Sequence, residues 1–319
     1  MKTIIIKFGG SSLADPGRIR RAAAMLLAER RRGLRPVAVV SAPADGTDDL
    51  LKLAALAGGK KLSPRECDAL LAAGEQISAA LVALALQAEG AKAVSLTGAQ
   101  AGIRTDSAYS AAEVVSVAPA RLRRELAAGR IPVVAGFQGV SPGGDVTTLG
   151  RGGSDLSAVV LARALESERC EFRTDVKGIY TAHPALVPGA RKLRGISYAE
   201  VIALAELGTE VRQLRAVRYA ARHGIPLHLR SSFHDEAGTL VAGAVGRPGV
   251  SCLSLKKHGP HALVSLIGRG PGPARLAAAL AAGARYGAAR AGSSPVSITL
   301  RVPAKDGEAL LKDLHAAFF

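Results

Sequence analysis

The sequence predicts an α/β fold: a mainly parallel sheet sandwiched by helices, followed by a small C-terminal α+β unit. Three observations carry this. Strand-like and helical segments alternate through the N-terminal three-quarters of the chain. Several strand-like segments are continuously apolar rather than alternating, the pattern of strands buried on both faces. Near Val241–Val250 the sequence turns to Ala-Gly-Ala-Val-Gly-Arg-Pro-Gly-Val, typical linker material. Two domains are therefore expected, 1–241 and 250–319.

The elements follow in order. Thr3-Ile4-Ile5-Ile6 reads as a compact strand ending in Lys7, and Gly9-Gly10-Ser11-Ser12 separates it from a helical pattern over Pro16–Arg31. Val37–Ser41 is a second buried-type strand, and Glu66–Gln87 is a long alanine-rich helix. Ala93–Leu96 and Ile131–Phe137 read as strands, Leu156–Leu165 as a helix, and Glu171–Thr174 as a further strand. Past the linker come strands Ser251–Lys256 and Ala262–Ile267, a glycine–proline turn, and helix Ala274–Ala282. Strand Val296–Val302 and helix Gly307–Phe318 complete a unit of ordinary small-domain size.

Two glycine-rich turns carry chemistry. In Leu149-Gly150-Arg151-Gly152-Gly153-Ser154-Asp155 the glycines let backbone approach an anion closely. Arg151 offers a planar fork of donors for a carboxylate or phosphate. Ser154 and Asp155 open a helix whose N-terminal amides attract negative charge; the plain structural reading of the pair is a helix cap. The turn Gly9-Gly10-Ser11 after the first strand has the strand–glycine–helix form that cradles phosphates, with Lys7 as a point charge at the strand end. It is neither G-x-x-x-x-G-K-[ST] nor G-x-G-x-x-G, so neither a Walker loop nor a dinucleotide fingerprint is present. In parallel sheets ligands bind beyond the carboxyl ends of the strands, where Lys7, Ser41 and Asp175 fall.

Composition narrows the classes. In 319 residues, 48% of them hydrophobic, no stretch is expected to reach the roughly 20 apolar residues of a membrane helix, so a soluble chain with no membrane partner is expected. Met1 leads directly into a core strand, which argues against a signal or transit peptide. Cys67, Cys170 and Cys252 have neither disulfide nor metal-site spacing, pointing to a reducing, cytoplasmic setting and no resident metal. The net charge of +16 is spread along helices, aromatics are only 3% and tryptophan is absent. Little remains to stack on bases, so the charge reads as a solvated surface biased toward anionic substrates, with no nucleic-acid partner.

The motifs, in order, resemble the aspartokinases of the amino-acid kinase family. The matching segments are Lys7-Phe8-Gly9-Gly10-Ser11-Ser12, Val39-Val40-Ser41-Ala42 with Thr47-Asp48, and Gly74-Glu75-Gln76-Ile77-Ser78. Ala135-Gly136-Phe137-Gln138-Gly139, Thr147 to Asp155, Thr174-Asp175-Val176, Ile196-Ser197-Tyr198 and Arg230-Ser231-Ser232-Phe233 follow. The resemblance covers residues 1 to about 240. It implies transfer of the ATP γ-phosphoryl group, with Mg2+, to the side-chain carboxylate of L-aspartate or a related amino acid. By the same resemblance Lys7 and Asp155 are catalytic. Ser41, Thr47, Glu75, Arg151 and Ser154 bind the amino acid. Lys7, Gly9, Gly10, Ser11, Thr174, Asp175 and Tyr180 surround the nucleotide. The tail resembles a single ACT domain, with Gly268–Gly272 as its ligand loop, which implies a homodimer through this domain.

Four departures stand against the family pattern. Glu210 replaces a lysine that helps hold the nucleotide, Lys177 replaces an aspartate, His183 and Ala185 replace an acid and an arginine, and Pro43 replaces a methionine. Three of these fall on the nucleotide side, with Lys177 and Arg212 as candidates to restore positive charge. They leave open a divergent kinase acting on another carboxylate, or a non-catalytic amino-acid-binding protein.

Overall fold

The computed structural model describes residues 2–208, 214–243, 245, 249–270 and 272–319. The elements are β1 (Thr3–Phe8), α1 (Pro16–Arg31), β2 (Arg35–Val40), α2 (Gly46–Gly58), α3 (Pro64–Ala88), β3 (Ala93–Leu96), β4 (Ile103–Thr105) and β5 (Val114–Val117). They continue as α4 (Ala120–Ala127), β6 (Ile131–Ala135), β7 (Gln138–Val140), β8 (Val146–Thr148), α5 (Gly153–Ala164), β9 (Cys170–Thr174), β10 (Gly195–Ser197), α6 (Tyr198–Leu207) and α7 (Leu214–His223). The remainder is β11 (Leu227–Ser231), β12 (Thr239–Ala242), β13 (Gly249–His258), β14 (His261–Arg269), α8 (Pro273–Gly283), β15 (Ala289–Ser294), β16 (Ser297–Pro303) and α9 (Gly307–Phe318). Two compact units result: Met1–Lys177 with Ile225–Glu236, and Gly178–Gly224 with Ala237–Phe319.

In the first unit the strands run β11–β9–β1–β2–β6–β3, each pair parallel. Every residue of β1 is buried. Its β-branched run suits a central strand, because branched side chains pack well on a pleated surface. Ile4, Ile6 and Phe8 face one way, into a core with Leu26 of α1 and Val82 and Leu86 of α3. Each of these buried side chains contributes about 1.5–3 kcal/mol. The α1 start is fixed by Asp15, whose carboxylate accepts the Arg18 N–H, and by Pro16 at the first helical position.

The helix α3 corrects one expectation. Among the described residues it is long and apolar enough, by length and composition, to cross a membrane, although half of its most apolar window is buried within the protein. Its inward side carries Asp68 and Glu75 beside Leu71, Val82 and Leu86. A small sheet, β5–β4–β7–β8, lies against this helix, and the Gln138 side-chain amide donates to the Ala72 carbonyl.

The second unit has its own core. An antiparallel sheet, β13–β14–β16–β15, packs Val264, Leu266, Ile298 and Leu300 with Leu310 and Leu314 of α9. Beside it β10 pairs in parallel with β12, and α6 opens with a capping box in which the Ser197 hydroxyl and the Glu200 carboxylate satisfy each other's backbone N–H.

Candidate functional site

Because the strands β11–β9–β1–β2–β6–β3 are parallel, their carboxyl ends share one rim, and the strand order switches at β1, with β2 on one side and β9 on the other. That is where an open α/β sheet leaves a crevice for a ligand. Lys7 lies at this end of β1 and points to the face opposite Ile6 and Phe8. It is only 6% exposed, and its Nζ stands 2.8 Å from Asp155 Oδ1, itself 5% exposed. A buried pair of this kind is costly to desolvate, so it is weak evidence for stability and better evidence for a functional role.

Gly9 and Gly10 follow, and they differ. The Gly9 N–H donates to the Arg173 carbonyl. A Cβ on Gly9 would meet nothing nearer than 3.7 Å and would sit 3.9 Å from Lys7 Nζ. A Cβ on Gly10 would lie 2.7 Å from the Ala42 carbonyl oxygen. Gly10→Ala is therefore expected to destabilise the protein by about 1–3 kcal/mol, as overpacking does. Gly9→Ala is expected to leave the melting temperature unchanged and to lower activity by placing a methyl group beside Lys7 where an anion would approach. Thermal unfolding beside an activity assay checks the contrast. Ser11 and Ser12 continue into a short 3-10 turn: the Ser11 carbonyl accepts from Arg18, and the Ser12 hydroxyl shares a 2.7 Å hydrogen bond with Ser232.

The second glycine turn is built on two left-handed residues, Gly150 (φ 70°) and Gly152 (φ 71°), a conformation that favours glycine. The α5 helix begins at Gly153, with Gly152 in the cap position and no side-chain cap. This corrects the expected start at Leu156 and the reading of Ser154 and Asp155 as caps: both lie inside the first turn and are buried. Ser154 packs where a Cβ on Gly136 would stand 2.9 Å from its own Cβ. Arg151, at the tip of the turn, is exposed.

Across the rim, Glu75 of α3 is 3% exposed. Its Oε1 accepts the Ala42 N–H at 2.9 Å, and its buried Oε2 has no hydrogen-bond partner. Burial pushes the Glu75 carboxyl up to about 7, against the opposing pull of two backbone N–H groups and Lys7. The same loop holds Ser41, whose N–H donates to the Phe8 carbonyl, and leads to Thr47, half-buried in the first turn of α2.

Thr174 ends β9, and its hydroxyl bonds both the Val176 N–H and carbonyl, while Asp175 is exposed. Lys177 is engaged with Glu236 at 2.8 Å. Tyr180 belongs to the second unit, in an isolated bridge with Lys192. In that unit the His183 ring accepts the Ala185 N–H, a local turn. Glu210 and Arg212 lie outside the described residues.

Sequence reasoning missed two things here. Asp68, wholly buried, binds Ser110 and Thr148 and so holds the turn that carries Arg151. Its signal was available, since it precedes Glu75 by two helical turns and shares its face. On β9 and β11, Glu171 and Arg173 share a face with His228 and Arg230. Burial opposes ionisation of Glu171, but His228, Arg173 and Arg230 outweigh it and hold its carboxyl low. Among the described residues no group of three or more histidine, cysteine or acidic side chains could hold a metal ion.

A buried lysine–carboxylate pair, a second buried carboxylate with an unpartnered oxygen, and two glycine turns lie on one rim, an arrangement suited to a charged small molecule. The amino acid kinase family model matches residues 2–231, and the chain belongs to that family. Over 246 residues it is 50% identical to the aspartokinase of Mycolicibacterium smegmatis, covering 77% of this chain and 58% of that protein. The chain thus spans less than two-thirds of the length of such curated relatives. Among solved structures, aspartokinase III of E. coli in complex with lysine and aspartate aligns with a TM-score of 0.88 at 23% identity, covering 100% of both chains, a likeness of fold. The aspartate kinase of Synechocystis aligns with a TM-score of 0.68 at 30% identity, covering 99% of this chain and 69% of that one.

Proposed function

We propose that this chain carries the catalytic domain of an aspartate kinase, residues 1–241, and transfers the γ-phosphoryl group of ATP to the side-chain carboxylate of L-aspartate. The carboxylate oxygen attacks the γ-phosphorus as the bond to the β–γ bridging oxygen breaks. ADP leaves with that electron pair, and 4-phospho-L-aspartate forms. The observation that carries this reading is the buried Lys7–Asp155 pair beside Gly9 and Gly10 at the end of the central strand.

Phosphoryl transfer asks mainly for positioning and charge stabilisation. Lys7 neutralises charge on the migrating group, the Gly10 and Ser11 backbone cradles it, and Gly9, with no side chain, leaves its approach open. Asp155 holds Lys7 in place. The free oxygen of Glu75 accepts the substrate ammonium, Arg151 clamps a substrate carboxylate, and Ser41, Thr47 and Ser154 line the same pocket. Thr174 and Asp175 face the nucleotide. The donor set fits a Mg2+ that arrives on the nucleotide, because Asp155 is one carboxylate and no three-ligand cluster stands ready among the described residues. When bound, that ion would neutralise charge on the phosphates.

For residues 250–319 we propose an ACT-like domain through which two copies pair. Its antiparallel sheet with α8 and α9 supports this, and light scattering coupled to size exclusion measures the mass. The function itself is tested by ATP consumption with aspartate, trapping the acyl phosphate with hydroxylamine. Turnover with wild-type protein and its loss in Lys7→Ala and Asp155→Ala are expected. Absence of turnover with wild-type protein rules the reading out.

A further inference from the structure

Ser232, the residue after β11, supplies no group to the site, yet it ties two parts of the site together. Ser12 belongs to the turn Gly10–Leu13 that follows β1. The hydroxyls of Ser12 and Ser232 are both buried and share a hydrogen bond of 2.7 Å, across 220 positions of sequence. The Ser232 N–H donates to the Thr174 carbonyl at 2.8 Å. One residue therefore touches the glycine turn through its side chain and the end of β9 through its backbone.

Those two parts need such a joint. β1 and β9 pair in parallel as far as Phe8 and Arg173, and the Gly9 N–H donates to the Arg173 carbonyl. Beyond that point the chains leave the sheet: one enters the turn, the other runs on to Asp175. Ser232 bridges them there. Its own place is fixed on both sides. Ser231 pairs with Thr174 in the sheet, and its carbonyl accepts at 3.1 Å from the Arg173 guanidinium, which also pairs with the buried Glu171. The Phe233 carbonyl accepts from Arg21 at 2.8 Å, and the Arg18 guanidinium lies over the Phe233 ring, 5.0 Å from its centre. Arg18 donates in turn to the Ser11 carbonyl at 2.7 Å, which closes a circuit back to the turn.

The turn hangs between two ties. On one side the Gly10 carbonyl accepts the Ala44 N–H at 3.0 Å, from the loop that also meets Glu75. On the other side stands Ser232. Within the turn the Ser12 N–H donates to the Gly9 carbonyl at 2.9 Å, so a displacement of Ser12 carries the Gly9 peptide with it. A hydroxyl pair shut away from water holds firmly, because losing either member leaves the other unpaired.

We infer that Ser232 is a positioning residue: through Ser12 it keeps the turn that meets the γ-phosphoryl group in register with the strand end that meets the rest of the nucleotide. This rests on the kinase reading above. A triphosphate must fit both parts at once, whereas ADP lacks the γ-phosphoryl group and does not need the turn in register. With the Ser232 tie cut, the turn follows the Ala44 side alone. The amino-acid side then keeps its shape, and the reacting phosphorus is misplaced.

The test compares wild type, Ser232→Ala, Ser12→Ala and the double variant. Hydroxylamine trapping gives kcat/KM for ATP and KM for aspartate, and calorimetry gives Kd for ADP. Each single variant is expected to lower kcat/KM for ATP by about ten- to a hundredfold, the cost of a reacting group displaced by about 1 Å. Kd for ADP and KM for aspartate are expected to stay within about twofold. Both substitutions cut the same link, so the double variant is expected to lose no more than the worse single one. Ser12→Ala keeps the Ser232 N–H contact with Thr174 and reports even if Ser232→Ala fails to fold. An unchanged kcat/KM for ATP, a matching loss in ADP or aspartate binding, or losses that multiply in the double variant overturn the inference while wild-type turnover leaves the kinase reading standing. Wild-type protein inert toward aspartate removes the kinase reading, and this inference with it.

Discussion

Lys7→Met is expected to lower turnover by roughly 10²–10³-fold, the loss typical when one preorganised donor to developing charge is removed. The same change is expected to destabilise the protein by about 3–5 kcal/mol, because Asp155 would remain buried without its cation. That is a large share of a folding free energy of about 5–15 kcal/mol. The two effects separate in the double variant Lys7→Met/Asp155→Asn. Neutralising both groups removes the uncompensated charge, so the melting temperature is expected to recover while turnover stays low. Calorimetry and single-turnover phosphate release measure the two. A double variant as unstable as Lys7→Met would mean that the lysine stem, not the ion pair, supplies the stability.

The parallel sheet was legible because β1, β2 and β6 are short apolar runs set among helical patterns. Boundaries such as Pro16–Arg31 and Gly307–Phe318 agree because proline and glycine mark them. The small sheet was not legible. Its strands β4, β5, β7 and β8 are three or four residues long, too short to display a period of two, and the sheet meets α3 through β8, a contact far away in sequence. At the site, Lys7 and the glycines were readable as a motif. The Lys7–Asp155 contact was not, since 148 positions separate the two and only the fold joins them. Asp68 escaped although it shares a helix face with Glu75: beside Glu66 at the start of an alanine-rich helix it looks like surface charge until the fold turns that face inward.

Glu75 is the other residue whose replacement separates stability from binding. Its carboxyl ionises near 7 in the folded protein and near 4.5 when unfolded. The native state therefore holds more protons between those values, and stability falls as pH rises through this window. At 1.36 kcal/mol per pH unit the loss is on the order of 3 kcal/mol, complete once pH exceeds about 7. In Glu75→Gln this component is absent, so the difference in stability between wild type and variant is expected to change over pH 4.5–7 and to flatten above it. Binding runs the other way. An ammonium is held by the ionised carboxylate, so KM for aspartate is expected to fall as pH rises through 7 in the wild type. In Glu75→Gln it is expected to be roughly tenfold or more higher and insensitive to pH, the loss of a charge-assisted hydrogen bond. KM measured from pH 6 to 8.5 beside thermal unfolding at each pH checks both. A wild-type KM that does not change with pH would place the substrate ammonium elsewhere, and the unpartnered oxygen of Glu75 would then need another cation to account for its burial.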